Sequence, residues 1–257
     1  MTLVMIWPNK MDNPTGLHIA SDSLLSDNLG KWPYATKIFR LYPTHEHLAY
    51  SGTSAMALAA IMQGTAVLAQ TNILSRDTSE RDATMTGRSS ALRTLLNDAI
   101  KVYPNKWIIS PTTLLYCGYD RHRRKFRLFR LSLDSAGVQV KEENLKKDRV
   151  SCFGSGESKA RSLLEQAHTT EEILGVLKSV MEEKSIDTVG GVPQMVTIRR
   201  RGSHAVGFNW KIDELTQSTL FGLPLHFRSS MEKVKFLDDK FKPAKYLNNP
   251  RVRRVAP

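Results

Sequence analysis

The apolar segments of this chain come in close pairs, and the connections inside each pair are too short to be crossovers. Leu3-Val4-Met5-Ile6-Trp7 is followed, across Pro8–Gly16, by the returning run Leu17-His18-Ile19-Ala20-Ser21-Asp22. Asn13-Pro14-Thr15-Gly16 supplies the turn chemistry between them. A second pair, Ile38-Phe39-Arg40-Leu41-Tyr42 and Leu48-Ala49-Tyr50-Ser51, flanks Pro43-Thr44-His45-Glu46. Parallel neighbours need a connection of about a dozen residues or more, so antiparallel strands are expected throughout. Gly52 then breaks the strand, and Thr53 or Ser54 is placed to cap a helix running to about Ile73. Residues 72–88 read as a polar loop. Leu92, Leu95, Leu96 and Ala99 fall at helical spacing within Ser89–Tyr103, which Pro104 closes.

The same grammar returns downstream. Thr112–Tyr119 and Phe126–Leu131 alternate with period two, and Val150-Ser151-Cys152-Phe153 leads into Gly154-Ser155-Gly156. Glu157–Ala167 and Glu171–Lys184 predict helices, the latter capped by Thr169 or Thr170, and Gln194–Arg199 with His204–Trp210 predicts a last hairpin. Strands, helices, strands, helices, strands is an α+β order. Two sheets with helices on both outer faces would bury every apolar stripe, which predicts a four-layer αββα sandwich over residues 1–214. Residues 215–257 are set apart as a basic C-terminal extension. From Arg228 onward it holds nine Lys/Arg against Glu232, Asp238 and Asp239, a net +6 out of the chain's +12.

That uneven distribution argues against nucleic acid as the partner. With 257 residues, 41% hydrophobic and 24% charged, the chain can bury a core without disulfide or metal support. Cys117 and Cys152 both lie in strand-like surroundings, so a reducing, cytoplasmic setting is expected. Trp7-Pro8-Asn9-Lys10 interrupts any secretory leader. Residues 47–75 lack charge, but Ser51, Gly52, Gln63, Gly64 and Gln70 break them up, and a buried helix is read there rather than a membrane span. His45-Glu46-His47 has no third ligand at metal spacing, and residues 154–159 lack phosphate-loop spacing. No metal and no cofactor are expected. Arg121-His122-Arg123-Arg124-Lys125 and Arg199-Arg200-Arg201 read as solvated hairpin turns.

Chemistry gathers at the beginning of the chain. Thr2 stands beside an initiator Met that an aminopeptidase can remove. An N-terminal Thr supplies both a hydroxyl nucleophile and, in its α-amine of pKa about 7.7–8.0, a base. Alone, Thr2 is an ordinary second residue. Asp22, however, ends the strand that returns beside it, Lys37 precedes the third strand, and Gly52 sits at a strand-to-helix turn where N–H groups are exposed. A cation lowers a hydroxyl's pKa, a carboxylate holds the cation, and free N–H groups stabilise an oxyanion.

In this order the residues resemble the β-subunits of proteasomes and the peptidase of the bacterial two-component ATP-dependent protease. Carrying the resemblance, from about Thr2 to Trp210, are Thr2, Gly16–Ser23, the Lys37 segment, Leu48–Thr53, Leu114–Asp120, Phe153–Gly156 and Asp187–Gly191. The resemblance implies a threonine peptidase with Thr2 as nucleophile, its own amine as base, Lys37 lowering the hydroxyl pKa, Asp22 holding Lys37 and Gly52 donating to the oxyanion. Ser155 and Asp187 would support the amine. It further implies peptide or unfolded-protein substrates, a homo-oligomer and an unfoldase or regulator as partner. Two departures stand out: Val189 occupies the place of the family's Ser before Gly190-Gly191, with Ser185 as a substitute, and the Pro8–Thr15 loop is long. An inactive scaffold or binding subunit and a small-molecule amidase are the alternatives on the same fold. If Met1 is retained, the Thr2 nitrogen is locked in a peptide bond.

Overall fold

A computed structural model describes residues 2–27, 30–42, 44–71, 84–102, 112–146, 149–225, 231 and 233–247. Strands β1 (Leu3–Pro8), β2 (Gly16–Ser21), β3 (Leu25–Asp27), β4 (Gly30–Trp32), β5 (Ile38–Leu41) and β6 (Glu46–Ser51) lead into helices α1 (Ser54–Gln70) and α2 (Met85–Val102). Strands β7 (Thr112–Asp120), β8 (Lys125–Asp134), β9 (Gly137–Glu143) and β10 (Ser151–Gly154) precede helices α3 (Glu157–Leu164) and α4 (Thr170–Met181). Then come β11 (Gln194–Arg199), β12 (Gly202–Ile212), β13 (Leu215–Leu220), β14 (Leu223–Pro224), β15 (Lys235–Leu237) and β16 (Pro243–Ala244).

These elements make a mixed α+β fold built on large antiparallel sheets. One sheet runs β10-β1-β2-β11-β12-β13-β14, with β15 and β16 added through β12; the other runs β5-β6-β7-β8-β9. The β12–β15 pair is parallel and the other pairs are antiparallel. Strand β1 shows why the chain opens on an unbroken apolar run: it is buried on both faces. Leu3, Met5 and Trp7 pack with Ile173, Leu174 and Leu177 of α4, while Val4 and Ile6 share a cluster with Ala49, Leu115 and Leu128 of the other sheet. A third cluster joins Tyr50, Leu114 and Tyr116 to Ile61, Leu92 and Leu96 of α1 and α2.

Helix α4 starts where a cap dictates. The Thr169 hydroxyl accepts from the Glu172 N–H, and the Glu172 side chain accepts from the Thr169 N–H, a reciprocal capping box. Helix α2 begins a turn earlier than its leucine spacing predicts, at Met85. The added turn carries Arg88, which donates to the buried Glu46 carboxylate on β6.

Strands β3, β4, β9 and β13 to β16 were not legible as apolar runs. Strand β9 is an edge strand whose outward side chains remain partly or fully exposed. Residues from Leu215 onward, set apart in the sequence reading as an extension, add strands to the larger sheet, with Phe208 opposite Thr219. Phe241 packs edge-on to Phe208 at 6.2 Å between ring centres, and Lys242 donates to Glu171 at 2.7 Å. Met1, Ile73, Pro104, Arg228 and residues 248–257 lie outside the described residues. Among those described, no helix is long and apolar enough to cross a membrane.

Candidate active site

Strand register brings the first candidates together. Val4 lies opposite Ser21, so the residue after β2, Asp22, lands beside the residue before β1, Thr2. The Asp22 Oδ1 accepts from the Leu3 N–H at 3.0 Å and from the Thr2 hydroxyl at 3.0 Å. Lys37 enters from the other sheet, one residue ahead of β5. Its Nζ donates to Asp22 Oδ2 at 2.9 Å, to the Leu24 carbonyl at 2.6 Å and to Thr2 Oγ1. An ammonium has three hydrogens, and each of these has an acceptor.

Burial sets the electrostatics. Asp22 and Lys37 are fully buried, and Thr2 is 1% exposed. Desolvation lowers the Lys37 pKa from its ordinary value, while the Asp22 carboxylate beside it pushes the other way. Taking such a pair out of water costs several kcal/mol per ion, roughly, unless further hydrogen bonds satisfy it. Here they do: Asp22 Oδ2 also accepts from the Leu24 and Gly190 N–H groups, each at 3.1 Å. The Thr2 oxygen thus donates its proton toward a carboxylate and accepts from a cation. That arrangement polarises a hydroxyl toward nucleophilic attack.

The glycine pair at 190–191 has a physical reason. The Gly190 carbonyl accepts from the Ser23 and Leu24 N–H groups at 3.1 Å, which seats this turn against the Asp22 segment. A side chain on Gly191, at φ 77°, would stand 2.5 Å from the Pro33 carbonyl and 2.7 Å from Ser23 Oγ. Gln194, which sequence reasoning missed, completes the frame. Its Oε1 accepts from the Lys37 N–H at 3.0 Å, and its Nε2 donates to the Asp22 carbonyl at 3.2 Å and the Ala35 carbonyl at 2.6 Å. Its one signal in the sequence was a polar residue opening an otherwise apolar strand.

Ser155 meets the backbone of Thr2, its hydroxyl 3.5 Å from the Thr2 carbonyl. Gly154, at φ 108°, is needed just before it, because a side chain there would run into that carbonyl and into Ser51 Cβ at 3.3 Å. Gly52 follows Ser51 at the end of β6 with φ 108°. Asp187 is not part of it. Its side chain is 70% exposed and faces Lys31 at 3.5 Å. The hydroxyl that reaches Ser155 belongs to the next residue, Thr188, at 2.9 Å. The structure thus sets the Thr188 hydroxyl, and not the expected Asp187 carboxylate, against Ser155, since a turn has no periodicity from which to read which of two neighbours faces inward. Ser185, the suggested substitute for the missing Ser, has its N–H directed to Glu183 at 3.4 Å and is exposed.

Among the described residues no three His, Cys, Asp or Glu side chains gather in a metal-holding group. His47 turns its Nδ1 to the His45 carbonyl at 3.2 Å, and Cys117 and Cys152 are buried thiols. Comparison of the chain with models of known families finds no match, and comparison with curated proteins finds none either.

Proposed function

We propose that this chain is a proteasome-like threonine peptidase, its two large sheets and flanking helices forming the four-layer αββα sandwich of N-terminal nucleophile hydrolases. The observation that carries the reading is the buried triad in which Thr2 Oγ1 lies between Asp22 and Lys37. Removal of Met1 by hydrolysis of its peptide bond frees the Thr2 amine. The hydroxyl proton then passes to that amine as Oγ1 bonds to the carbonyl carbon of a substrate amide. The substrate's C–N bond breaks, the leaving amine takes the proton, and water hydrolyses the resulting ester to restore Thr2. Lys37 favours the developing alkoxide, Asp22 fixes Lys37, and the Gly52 N–H is assigned to the oxyanion. Ser155 and Thr188 position the amine.

Peptide or unfolded-protein substrates, a homo-oligomeric assembly and an unfoldase partner follow from the resemblance alone, because a fold does not determine its partners; the cytoplasmic setting rests on the two buried thiols, Cys117 and Cys152. The test is the intact mass of protein with an untagged N-terminus, before and after an electrophile selective for N-terminal threonine. A chain beginning at Thr2 that gains one adduct, with Thr2→Ala gaining none, is the expected result. A chain that keeps Met1 and gains nothing removes Thr2 as catalyst and leaves a non-catalytic scaffold. Turnover of small amides but not peptides would instead make the chain an amidase.

A further inference from the structure

The strands that bring Thr2 and Gln194 together at one end of the larger sheet carry a different chemistry at the other. Strand β11 runs from Gln194 to Arg199, roughly 17 Å at strand rise, and turns through Arg200 and Arg201 into β12. In the second sheet, β7 ends at Asp120 and turns through Arg121 into β8. The two turns meet at a cavity of about 540 Å³ lined by His45, Tyr119, Arg121, Arg200 and Arg201. Among the described residues no carboxylate lines it. Asp120, between the lining residues Tyr119 and Arg121 in the chain, is buried and occupied: it accepts from the His122 and Arg123 N–H groups at 3.1 Å and from Arg127 at 2.9 Å.

The contrast with neighbouring cations is informative. Lys125, Arg127 and Arg130 all pair with Glu142 or Glu143, whereas among the described residues Arg121, Arg200 and Arg201 enter no ion pair. The Arg200 guanidinium lies over the Tyr119 ring at 6.0 Å, and that ring is packed on Phe126 at 5.0 Å, so it is held from beneath. Three like charges around one cavity repel each other until an anion enters. A carboxylate has two oxygens and matches one guanidinium fork, while a phosphate group offers three and can engage several at once. The volume leaves room for an organic group beyond the phosphate, within the about 300–1,000 Å³ typical of small-molecule sites.

We propose that this cavity binds a phosphate monoester of a small organic molecule, independently of the chemistry at Thr2. Titration calorimetry of the full chain with phenyl phosphate, inorganic phosphate and benzoate at low salt tests it. Phenyl phosphate is expected to bind one per chain and at least tenfold more tightly than either of the others. The double variant R121Q/R201Q should lose at least tenfold in that affinity, while R123Q, outside the cavity lining, should keep it. All these side chains are exposed, and matching thermal melts will show that the variants fold. Equal binding of benzoate or inorganic phosphate, or an unaffected double variant, overturns the proposal. So does binding of a single-stranded oligonucleotide without binding of phenyl phosphate, which would make the patch a nucleic-acid surface.

Discussion

Lys37 Nζ and Asp22 Oδ2 are 2.9 Å apart with both side chains closed off from water. Each is therefore the condition for the other's burial. Replacing Asp22 by Asn leaves a buried lysine without its counter-charge, and breaking such a pair costs about 3–5 kcal/mol. Urea denaturation should show a loss of that size for Asp22→Asn. Adding Lys37→Met should recover part of it, because the uncompensated charge is then gone. A double variant no more stable than the single one would mean that the pair is not the source of the loss.

Stability should fall on mild acidification. His47 is buried on β6, and burial lowers its pKa from the ordinary 6.5 to about 4. Between those values the unfolded chain binds the proton and the folded chain does not. The contribution is complete above about pH 6.5 and is lost as the pH drops toward 4, up to the order of 3 kcal/mol. His18 acts in the same direction, again through burial. Unfolding free energies measured across this range for the wild type and His47→Gln should diverge in slope, with the variant less steep.

Thr188 and Asp187 make a paired prediction. Thr188→Val removes the hydroxyl that meets Ser155 at 2.9 Å. If the peptidase reading holds, the rate of adduct formation at Thr2 should drop at least tenfold, while stability changes by only about 1 kcal/mol. Asp187→Asn, on an exposed side chain, should leave the rate within twofold. The opposite ranking would return the supporting role to Asp187.

Gly154→Ala should be far more damaging than an ordinary surface substitution. The backbone there has φ 108°, and the new Cβ would collide with the Thr2 carbonyl and stand 2.9 Å from its carbon. Neither partner can retreat, since Gly154 is paired with Leu3. A loss of at least about 2 kcal/mol is expected by chemical denaturation, combining backbone strain and overpacking. Wild-type stability for this variant would show that β10 can shift away.

What the sequence disclosed follows from where periodicity exists. Asp22 was legible because it ends the strand that pairs with β1, so register returns it beside Thr2; Lys37 comes from the other sheet, and its place followed only from the order of residues that carries the resemblance. Helix α4 was legible from Thr169 and its apolar stripe. Strand β9, Gly-Val-Gln-Val-Lys-Glu-Glu, and β13, Leu-Thr-Gln-Ser-Thr-Leu, were not. Backbone pairing to β8 and β12 fixes them, and their side chains need not be apolar. Thr188 and Gln194 escaped for a related reason: each acts through a single polar contact from an element whose pattern reports only on packing.

The position of β1 has a consequence for the order in which the protein is made. Its neighbours are β2, translated soon after it, and β10, translated only after both α1 and α2. The Gly190 amide that completes the Asp22 shell arrives later still. Thr2 thus precedes in the chain most of the residues that complete its surroundings. A growing chain, or one truncated before Gly190, carries the hydroxyl without its finished surroundings, and the group comes into force only with the whole domain.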